Sequence, residues 1–540
     1  MNSSIYLFEF LSEQATEDVG MWKEMLEKRL DAIGFDYERI GNRLRIWDSR
    51  VAMKKTARSD VGYRDGVEIF KVSMPKQYER PVIGFNFSRL YFCDKESHPA
   101  YQSAKELFKN YEFPAVLRQL PLFALLDKLI IKINELEVLF RPLQDIDWKC
   151  VSPNVAIDAS RESTNVYNLS EQQYASSILA LVRKQHALHP ISFEMVLIDA
   201  FTNNKQKATE VASKTSQVLV NDWHCSISKK RISTKDDFEA WINSENGARV
   251  GFFALDTKKG ERPPQAAIEW MRSMEEAKIP YSLFSAAPEV NPIYTRHGNA
   301  MHLLTKVGGF HFQVNALSIP DYQDHWFIGL DLGYGSQYKG KCVVVSLTDS
   351  NGVLKCFWRA VKNLDETLNQ EILQEAITWI VGQADSFKPG LKFVVIRDGR
   401  CPHHETIDNY KKILPPGRSL FLEYTKTHNP VMIDGKVQPD PGTIAIPKYS
   451  AEAFLFTAKA SQKNMLTATT RFRPKINDLG YSLEQIGEIL TALCFSSKLS
   501  FQPSSLPAPI YWADGIASLS NINLQFAGWG HLPSITRDFR

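Results

Sequence analysis

The sequence predicts an α/β protein of several domains, and two observations carry this prediction. Strand-like and helix-like apolar patterns alternate through the middle of the chain, which is typical of an open, mostly parallel sheet. The chain also has 540 residues, of which 44% are hydrophobic and 23% charged, as in ordinary globular proteins. Because a domain takes roughly 100–200 residues, we expect three or four domains.

Residues 1–165 predict a smaller α+β region. Helical patterns cover 21–33 and 121–140, and 81–87 is typical of a short strand. The polar run at 158–173, DASRESTNVYNLSEQQ, is the best candidate for a linker.

The segment 166–316 alternates helices and strands, which predicts a parallel, Rossmann-like sheet. The predicted helices and strands are, in order, a helix at 171–186, a strand at 193–198, a helix at 208–218, a strand at 250–255, a helix at 265–277, a strand at 281–284 and a helix at 300–306.

From residue 317 onward the order changes. Apolar runs predict strands at 326–332, 342–347 and 354–360, with DSNG at 349–352 as the hairpin turn between the last two. A helix at 368–381, a buried strand at 393–397 and a helix at 405–413 follow. Three antiparallel strands leading into a helix and a parallel strand indicate a ribonuclease-H-like sheet, so 317–540 forms the third predicted domain.

Charge and cysteines restrict the class of protein. Sixty-four Lys and Arg against 61 Asp and Glu leave a net charge of +3, so a nucleic-acid channel requires locally clustered cations. The seven cysteines form no C-x-x-C pair, which indicates reduced thiols and argues against a zinc ribbon. The N-terminus lacks the basic start of a signal peptide, and 121–140 carries five charged residues, so we expect a cytoplasmic protein without a membrane partner.

Three aspartates stand where a metal site would be expected. Asp331 lies in the strand IGLDLGYGS, Asp398 ends the strand FVVIRDGR, and Asp514 lies early in a predicted helix within PAPIYWADGIAS. Carboxylates from neighbouring strand ends and a helix can hold two divalent ions roughly 3.5–4 Å apart for phosphodiester hydrolysis. Oxygen ligands without a His/Cys cluster favour two Mg²⁺ or Mn²⁺ ions.

At these residues the chain resembles the PIWI domain of Argonaute proteins. The acids are 67 and 116 residues apart (398 − 331 and 514 − 398), which is similar to nuclease-active prokaryotic members. The resemblance extends to RDGRCPHHE around Asp398 and to TRFRP at 470–474. It implies a mobile fourth acid, the glutamate finger, which corresponds to Glu366 with Asp365 beside it.

The resemblance also implies function and domain organisation. It identifies 166–316 as a MID domain for the guide 5′ end, 317–540 as a PIWI domain, and 1–165 as an N-terminal region too short to include PAZ. The implied activity is guide-directed endonuclease cleavage of DNA or RNA paired to a short DNA or RNA guide, in defence against invading DNA. Short prokaryotic Argonautes that lack the acids instead sense targets beside an effector protein, so a binding module remains the alternative.

The guide-end pocket departs from the family pattern. The resemblance implies Lys306, Asn299 and Ser282 as pocket residues, but Ala267 and Met271 stand where the family has charged or aromatic side chains. A 5′-phosphate would lose charge-assisted contacts there, so we expect a relaxed or 5′-hydroxyl-type pocket. The alternatives are a helix face that packs on the sheet for Ala267 and Met271, and a solvated lysine for Lys306.

Basic clusters give candidates for a nucleic-acid channel. They are Lys54-Lys55-Arg58, Lys229-Lys230-Arg231 and Arg471-Arg473-Lys475. Most such clusters are solvated faces, and only the third lies in the PIWI-like region, so we favour Arg471, Arg473 and Lys475.

Each acid also has a simpler interpretation when taken alone. Asp331 could cap a strand, Asp398 could serve a turn, Asp514 could face a helix dipole, and Glu366 could be a solvated loop residue. The motif DLGYGS at 331–336 is also similar to the first phosphate loop of actin-like ATPases, although the other loops of that class are missing from the sequence.

Overall fold

The computed structural model describes most of the chain. The described residues are 3–11, 21–55, 61–72, 78, 80–93, 118–119, 121–136, 138–151, 154–156, 163–165, 179–180, 182–183, 186–187, 190–244, 247–257, 262–309, 313–334, 341–362, 370–401, 405–434, 439–457, 465–466, 469–496, 504–520 and 535–539.

The chain divides into two compact units. Unit 1 comprises residues 1–150 and 425–473, and unit 2 comprises 151–424 and 474–540. The segment 425–473, which the three-domain division gives to the C-terminal domain, therefore belongs to unit 1.

Twelve elements precede the first crossing between the units. They are β1 Ser3–Ile5, β2 Leu7–Phe10, α1 Met21–Ile33, β3 Asp36–Ile40, β4 Arg43–Trp47, β5 Lys54–Lys55, β6 Val61–Val72, β7 Val82–Cys93, β8 Arg118–Gln119, α2 Pro121–Leu136, β9 Phe140–Pro142 and β10 Ile146–Cys150. The antiparallel order β3-β4-β6-β7-β2-β9 forms the main sheet of unit 1, and β5 pairs with β6. Its apolar face, which includes Leu44 and Phe85, packs with Trp22 and Leu26 of α1 and with α2.

The middle of the chain forms a parallel sheet in unit 2. Its elements are β11 Asn154–Ala156, β12 Ser163–Asn165, β13 Ser192–Ile198, α3 Lys205–Gln217, β14 Ser226–Ile232, α4 Lys235–Ile242, β15 Arg249–Leu255, α5 Gln265–Glu276, β16 Tyr281–Ser285, α6 Pro292–Lys306 and β17 Gln313–Asn315. Four parallel strands in the order β14-β13-β15-β16 confirm the predicted α/β alternation.

The rest of the chain supplies the last elements. They are β18 His325–Tyr334, β19 Lys341–Thr348, β20 Leu354–Lys362, α7 Gln370–Phe387, β21 Lys392–Asp398, α8 Ile407–Ile413, β22 Ser419–Thr425, β23 Met432–Asp434, β24 Thr443–Pro447, β25 Ala453–Phe456, β26 Met465–Leu466, β27 Thr470–Asn477, α9 Leu483–Phe495, α10 Ala508–Ser520 and β28 Ile535–Phe539. In unit 1, β10, β24, β25 and the first residues of β27 pair antiparallel.

The ribonuclease-H-like sheet of unit 2 has the order β22-β21-β18-β19-β20-β28. Strands β18, β19 and β20 are antiparallel, whereas β21 is parallel to β18, as predicted. The predicted hairpin turn is confirmed by the hydrogen bond from Gly352 N to Asp349 O (3.0 Å) and by the left-handed φ of +70° at Gly352. Apolar side chains of α7 cover one face of the sheet and those of α10 cover the other.

Three local predictions need correction. The proposed linker contains the strand β12, Ser163–Asn165, which pairs with β11. Strand β11 also pairs with β17, which lies much later in the sequence. Local polarity does not reveal such long-range pairing. Strand β14 was missed because the edge strand SISKKRI is exposed and polar. Helix α4 was also missed, since it is a short element. The predicted helix at 171–186 lies largely outside the described residues.

In the described part of the chain, no helix is both long and apolar enough to cross a membrane.

Candidate metal centre

Three of the four predicted acids converge. Asp331 lies in β18 and is 7% exposed, Asp398 ends β21, and Asp514 lies on α10. One carboxylate oxygen from each residue lies within 4.8 Å of the corresponding oxygens of the other two. The fourth acid, Glu366, and the neighbouring Asp365 lie outside the described residues.

Strand register explains why Asp331 and Asp398 meet. The parallel strands β18 and β21 pair Leu330 with Arg397, so the next residue of each strand is an aspartate on the same face of the sheet. That face is the one covered by α10, since Cys342 and Val344 of the adjacent β19 pack there with Trp512 and Ala513.

Helix α10 approaches the sheet closely and brings Asp514 to the same place. A Cβ at Gly329 of β18 would overlap the backbone of Pro509, so the glycine permits this approach. The Ser346 hydroxyl donates to Pro509 O (2.7 Å), and Trp512 Nε1 donates to Gly352 O (3.0 Å). The helix begins at Ala508, so Asp514 lies in its middle and not early in the helix as predicted.

The surroundings of Asp514 are partly apolar. Burial and the negative charge of Asp514 raise the pKa of the Tyr511 hydroxyl, which lies one helical turn earlier. Tyr511 therefore stays protonated at neutral pH.

The loop that follows Asp398 is fixed by hydrogen bonds. Gly399 has a φ of +80°, and its N–H donates to Tyr424 O (2.8 Å). The Cys401 N–H donates to Glu423 Oε1 (2.8 Å). Residues 402–404 lie outside the described residues, and the chain continues at Glu405.

A buried ion pair lies beside this loop. The Arg397 guanidinium donates to both carboxylate oxygens of Glu405, at 2.7 and 2.8 Å, and to Asp398 O at 2.8 Å. Burial disfavours the charge of Arg397, but the hydrogen bonds and negative charge of Glu405 outweigh it and raise the pKa of the guanidinium. The sequence contains one signal for this pair, since an arginine at the end of a buried strand requires an acidic partner.

The chemistry of the three carboxylates fits divalent ions. Each carboxylate is a hard oxygen ligand, and close negative charges repel each other unless a cation or proton lies between them. No other cluster of metal-ligand side chains was found among the described residues. Asp331, Asp398 and Asp514 could therefore hold Mg²⁺ or Mn²⁺.

The predicted guide-end residues have mixed surroundings. Met271 and Ala267 have no exposed surface and belong to the apolar core under the parallel sheet, which confirms the packing interpretation for both. Ser282 of β16 is buried as well, and Asn299 is half-buried on α6.

Lys306 is not the solvated lysine of the simpler interpretation. It is 1% exposed, and its ammonium group donates to Tyr281 O. Burial holds the pKa of Lys306 well below its usual value. Lys306 also lines a cleft of about 420 Å³ together with Arg249, Lys278 and Gly308.

The favoured basic cluster, Arg471, Arg473 and Lys475, is less exposed to solvent than predicted. Arg471 is buried in unit 1, with its Nη1 3.6 Å from Glu452 Oε1, so its predicted channel role needs correction. A buried cation is tolerated when a neighbouring acid neutralises its charge, and the sequence does not show which acid lies beside it. Arg473 is half-buried, and Lys475 is half-buried with its Nζ 3.6 Å from Glu423 Oε1.

The other two basic clusters also contain ion pairs. Lys54 Nζ lies 2.5 Å from Asp65, and Arg231 Nη2 lies 2.6 Å from the fully buried Asp199. Lys229 and Lys230 are exposed on the edge strand β14, and Arg58 lies outside the described residues.

The combination of these sheets defines the class of protein. No protein-family model and no curated protein matches the sequence, whereas solved structures match nearly the whole chain. The chain has the fold of the Argonaute and Piwi proteins, with a MID-like sheet and a ribonuclease-H-like PIWI sheet.

Three solved structures illustrate the similarity. Clostridium butyricum Argonaute, bound to a guide DNA and a 19-mer target DNA, matches with a TM-score of 0.66 and 11% identity over 95% of this chain and 87% of that chain. Marinitoga piezophila Argonaute, in complex with 5′ OH guide RNA and target DNA, matches with 0.62 and 12% over 93% and 86%. Drosophila Piwi matches with 0.64 and 11% over 96% and 88%.

Proposed function

We propose that this protein is a guide-directed endonuclease that cleaves a target nucleic acid paired to a short DNA or RNA guide. The convergence of Asp331, Asp398 and Asp514 on one face of the ribonuclease-H-like sheet carries the proposal. Asp331 and Asp398 come from two neighbouring strands, and Asp514 comes from helix α10. The helix lies close enough to the sheet for the three carboxylates to meet because Gly329 permits backbone contact.

The carboxylates are the proposed ligands of two divalent ions. Bound Mg²⁺ or Mn²⁺ activates a water molecule and stabilises the leaving oxygen of a phosphodiester. Asp331 and Asp398 are held next to each other by strand register, whereas the position of Asp514 depends on the packing of α10. We assign Glu366 as the fourth acid from the resemblance of its position.

Known structures of this fold support the choice of partners. The Argonautes of C. butyricum and M. piezophila were solved with a guide and a target strand. We propose the same class of partner here, with the guide 5′ end held by residues 166–316, the target held by 317–540, and residues 1–165 as the N-terminal region. The proposed role is defence against invading DNA in the cytoplasm.

The guide end is proposed to carry no obligatory phosphate. Lys306 is buried, and its ammonium group already donates to the backbone carbonyl of Tyr281, so it is poorly placed to contact a phosphate. Met271 is in the core and Ser282 is uncharged. A 5′-hydroxyl guide, as in the M. piezophila complex, would lose nothing at such a pocket.

Competition between guides tests the 5′-end proposal. Purified protein is titrated with identical labelled guides that carry either a 5′-hydroxyl or a 5′-phosphate group. We expect equal affinity or a preference for the hydroxyl. If the 5′-phosphate guide binds at least tenfold more tightly than the 5′-hydroxyl guide, cations other than Lys306 must contact the phosphate.

Cleavage assays test the nuclease proposal. Protein loaded with complementary guides is incubated with end-labelled single-stranded DNA and RNA targets, in Mn²⁺ or in EDTA. We expect one metal-dependent cut at a fixed distance from the guide 5′ end, which is lost in Asp398→Ala. Asp408→Ala, which removes an exposed acid from α8, is the matched control and should cleave normally.

The same assay addresses the alternative function. Tight guide-dependent target binding without a cut, for every combination of guide and target, would contradict the nuclease proposal. It would favour a binding module that signals to a separate effector protein.

A further inference from the structure

The buried pair Arg397–Glu405 lies on the opposite face of the sheet from the three carboxylates. Arg397 alternates with Asp398 along β21, so its side chain points away from α10 and towards Glu405 and Tyr410. The Arg397 side chain is 4% exposed and that of Glu405 is 1% exposed. The Tyr410 hydroxyl donates to Glu405 Oε2 (3.0 Å), which fixes the acid further.

The pair also closes the loop that begins at Asp398. Arg397 immediately precedes that loop, and Glu405 is the first described residue after the loop. Arg397 Nη1 donates to Asp398 O (2.8 Å), so a single guanidinium joins both ends of the loop and the backbone of the metal-site residue. The Asp398 carbonyl group, and with it the backbone from which the Asp398 side chain extends, is thereby held in place.

Stability alone does not account for a buried ion pair. Removing two charges from water costs several kcal/mol per ion, and apolar replacements of similar volume are often neutral or stabilising. Two groups held by four directed hydrogen bonds do, however, fix geometry more tightly than apolar packing.

We propose that Arg397 and Glu405 are positioning residues that orient Asp398 for metal binding. This inference rests on the proposed function, because it assumes that the carboxylates hold divalent ions. Partners that orient a metal ligand typically change metal affinity or activity by about 10–100-fold when they are removed.

The opposite end of β21 provides a matched control. There Arg418 donates to both carboxylate oxygens of Asp385, each at 3.1 Å, and to Leu391 O at 3.1 Å. Leu391 immediately precedes β21, and Asp398 is the last residue of β21. The two arginines thus make the same kinds of contact with an acid and a backbone carbonyl at the two ends of one strand, although the Arg418–Asp385 pair is partly exposed, and only Arg397 touches a metal-site residue.

The experiment compares two double variants of the full-length protein. In one, Arg397→Met is combined with Glu405→Leu; in the other, Arg418→Met is combined with Asp385→Leu. Mn²⁺ binding is measured by isothermal titration calorimetry without guide or target, and folding is measured by thermal unfolding. We expect Mn²⁺ to bind about tenfold more weakly to the first variant and within twofold of wild type to the second.

Arg397→Lys provides a milder variant if the first double variant does not fold. Lysine retains the charge but cannot form the two-pronged contact with Glu405 while also reaching Asp398 O. We expect weaker Mn²⁺ binding with a thermal midpoint close to that of wild type, and a cleavage rate that recovers at saturating Mn²⁺. A role in stability alone would lower the midpoint without changing the Mn²⁺ dependence.

The outcomes separate this inference from the proposed function. Unchanged Mn²⁺ affinity in the folded Arg397 variants, while wild type binds Mn²⁺, would overturn the positioning role alone. A wild-type protein that binds neither Mn²⁺ nor Mg²⁺ would overturn the metal centre and the inference with it.

Discussion

Gly329 of β18 and Pro509 of α10 are in backbone contact, and a methyl group on Gly329 would overlap the Pro509 carbonyl. The Ser346 hydroxyl donates to the same carbonyl at 2.7 Å. The contact fixes the distance between the sheet that carries Asp331 and the helix that carries Asp514. Gly329 lies two positions from Asp331 and Pro509 lies five positions from Asp514, so this contact controls whether the two carboxylates meet.

Gly329→Ala should separate the carboxylates. The added methyl group forces α10 away from the sheet, and such overpacking typically costs about 1–3 kcal/mol of stability. We expect a lower thermal midpoint together with loss of Mn²⁺ binding and cleavage. Gly382→Ala in α7 is the control, because nothing lies within 4 Å of the new Cβ; it should stabilise the protein by about 0.5–1 kcal/mol. Normal cleavage by Gly329→Ala would show that α10 tolerates displacement.

Divalent ions should stabilise the folded protein. An ion that binds only the folded state adds roughly 2.7 kcal/mol when its concentration is 100 times its dissociation constant. We expect Mn²⁺ to raise the thermal midpoint of wild type. It should raise that of Asp331→Asn much less, because one of the three clustered carboxylates is then neutral. An equal rise in both proteins would place the bound ion elsewhere.

Lys306→Met should change how stability depends on pH. The folded-state pKa of Lys306 is lowered by burial, so between that value and the unfolded-state value of 10.5 only the unfolded chain holds the proton. Wild-type stability therefore rises with pH across this window, whereas the methionine variant lacks this contribution. The thermal midpoint of the variant minus that of wild type should fall as pH is raised from 7 towards 10.5. A constant difference would mean that Lys306 has an ordinary pKa.

Glu68→Gln should destabilise unit 1. Glu68 is buried between Arg43, Arg45 and His428, and although burial opposes its charge, His428 and Arg43 lower its pKa below 4.5. Losing one partner of a buried charge cluster costs about 3–5 kcal/mol. The stabilisation from Glu68 is present above pH 4.5 and is lost as pH falls through the lowered folded-state pKa, so the difference between wild type and variant should narrow in acid.

A surface pair provides the comparison for Glu68. Glu27 pairs with Arg39, whose side chain is 48% exposed, so Glu27→Gln should cost less than about 1 kcal/mol. Chemical denaturation at pH 7 and at pH 4 measures both variants. Equal losses would mean that the Glu68 cluster is screened by water.

Arg471→Ala should lower stability, whereas Arg473→Ala should weaken target binding. Arg471 is buried beside Glu452, so its loss leaves an uncompensated acid and lowers the thermal midpoint. Arg473 is half-buried, and if it contacts a phosphate, its loss should weaken target binding and reduce the slope of log affinity against log salt by about 1. An unchanged slope for Arg473→Ala would remove it from the nucleic-acid channel.

Part of the candidate site could be predicted from local patterns. The strands that carry Asp331 and Asp398 are apolar runs, with Asp331 inside its strand and Asp398 at the end of its strand. These runs form strands because both of their faces are covered by helices. Gly329 within IGLD is a further local sign, since a glycine in a buried strand marks a close backbone approach. Glu366 lies outside the described residues, so its role stays a prediction.

The sequence by itself determined the α/β alternation, the three antiparallel strands, helix and parallel strand that open the ribonuclease-H-like sheet, and the three acids, because apolar periodicity and polar strand ends are local properties of the chain. Only the tertiary structure decided which charged residues are buried. Lys306 and Arg471 look like any solvated cation in the sequence, yet both lie in the interior, as Arg397 does. The physical reason is that burial depends on partners far along the chain: Tyr281 O accepts from Lys306 across 25 residues, and Glu452 lies beside Arg471 through antiparallel pairing of neighbouring strands.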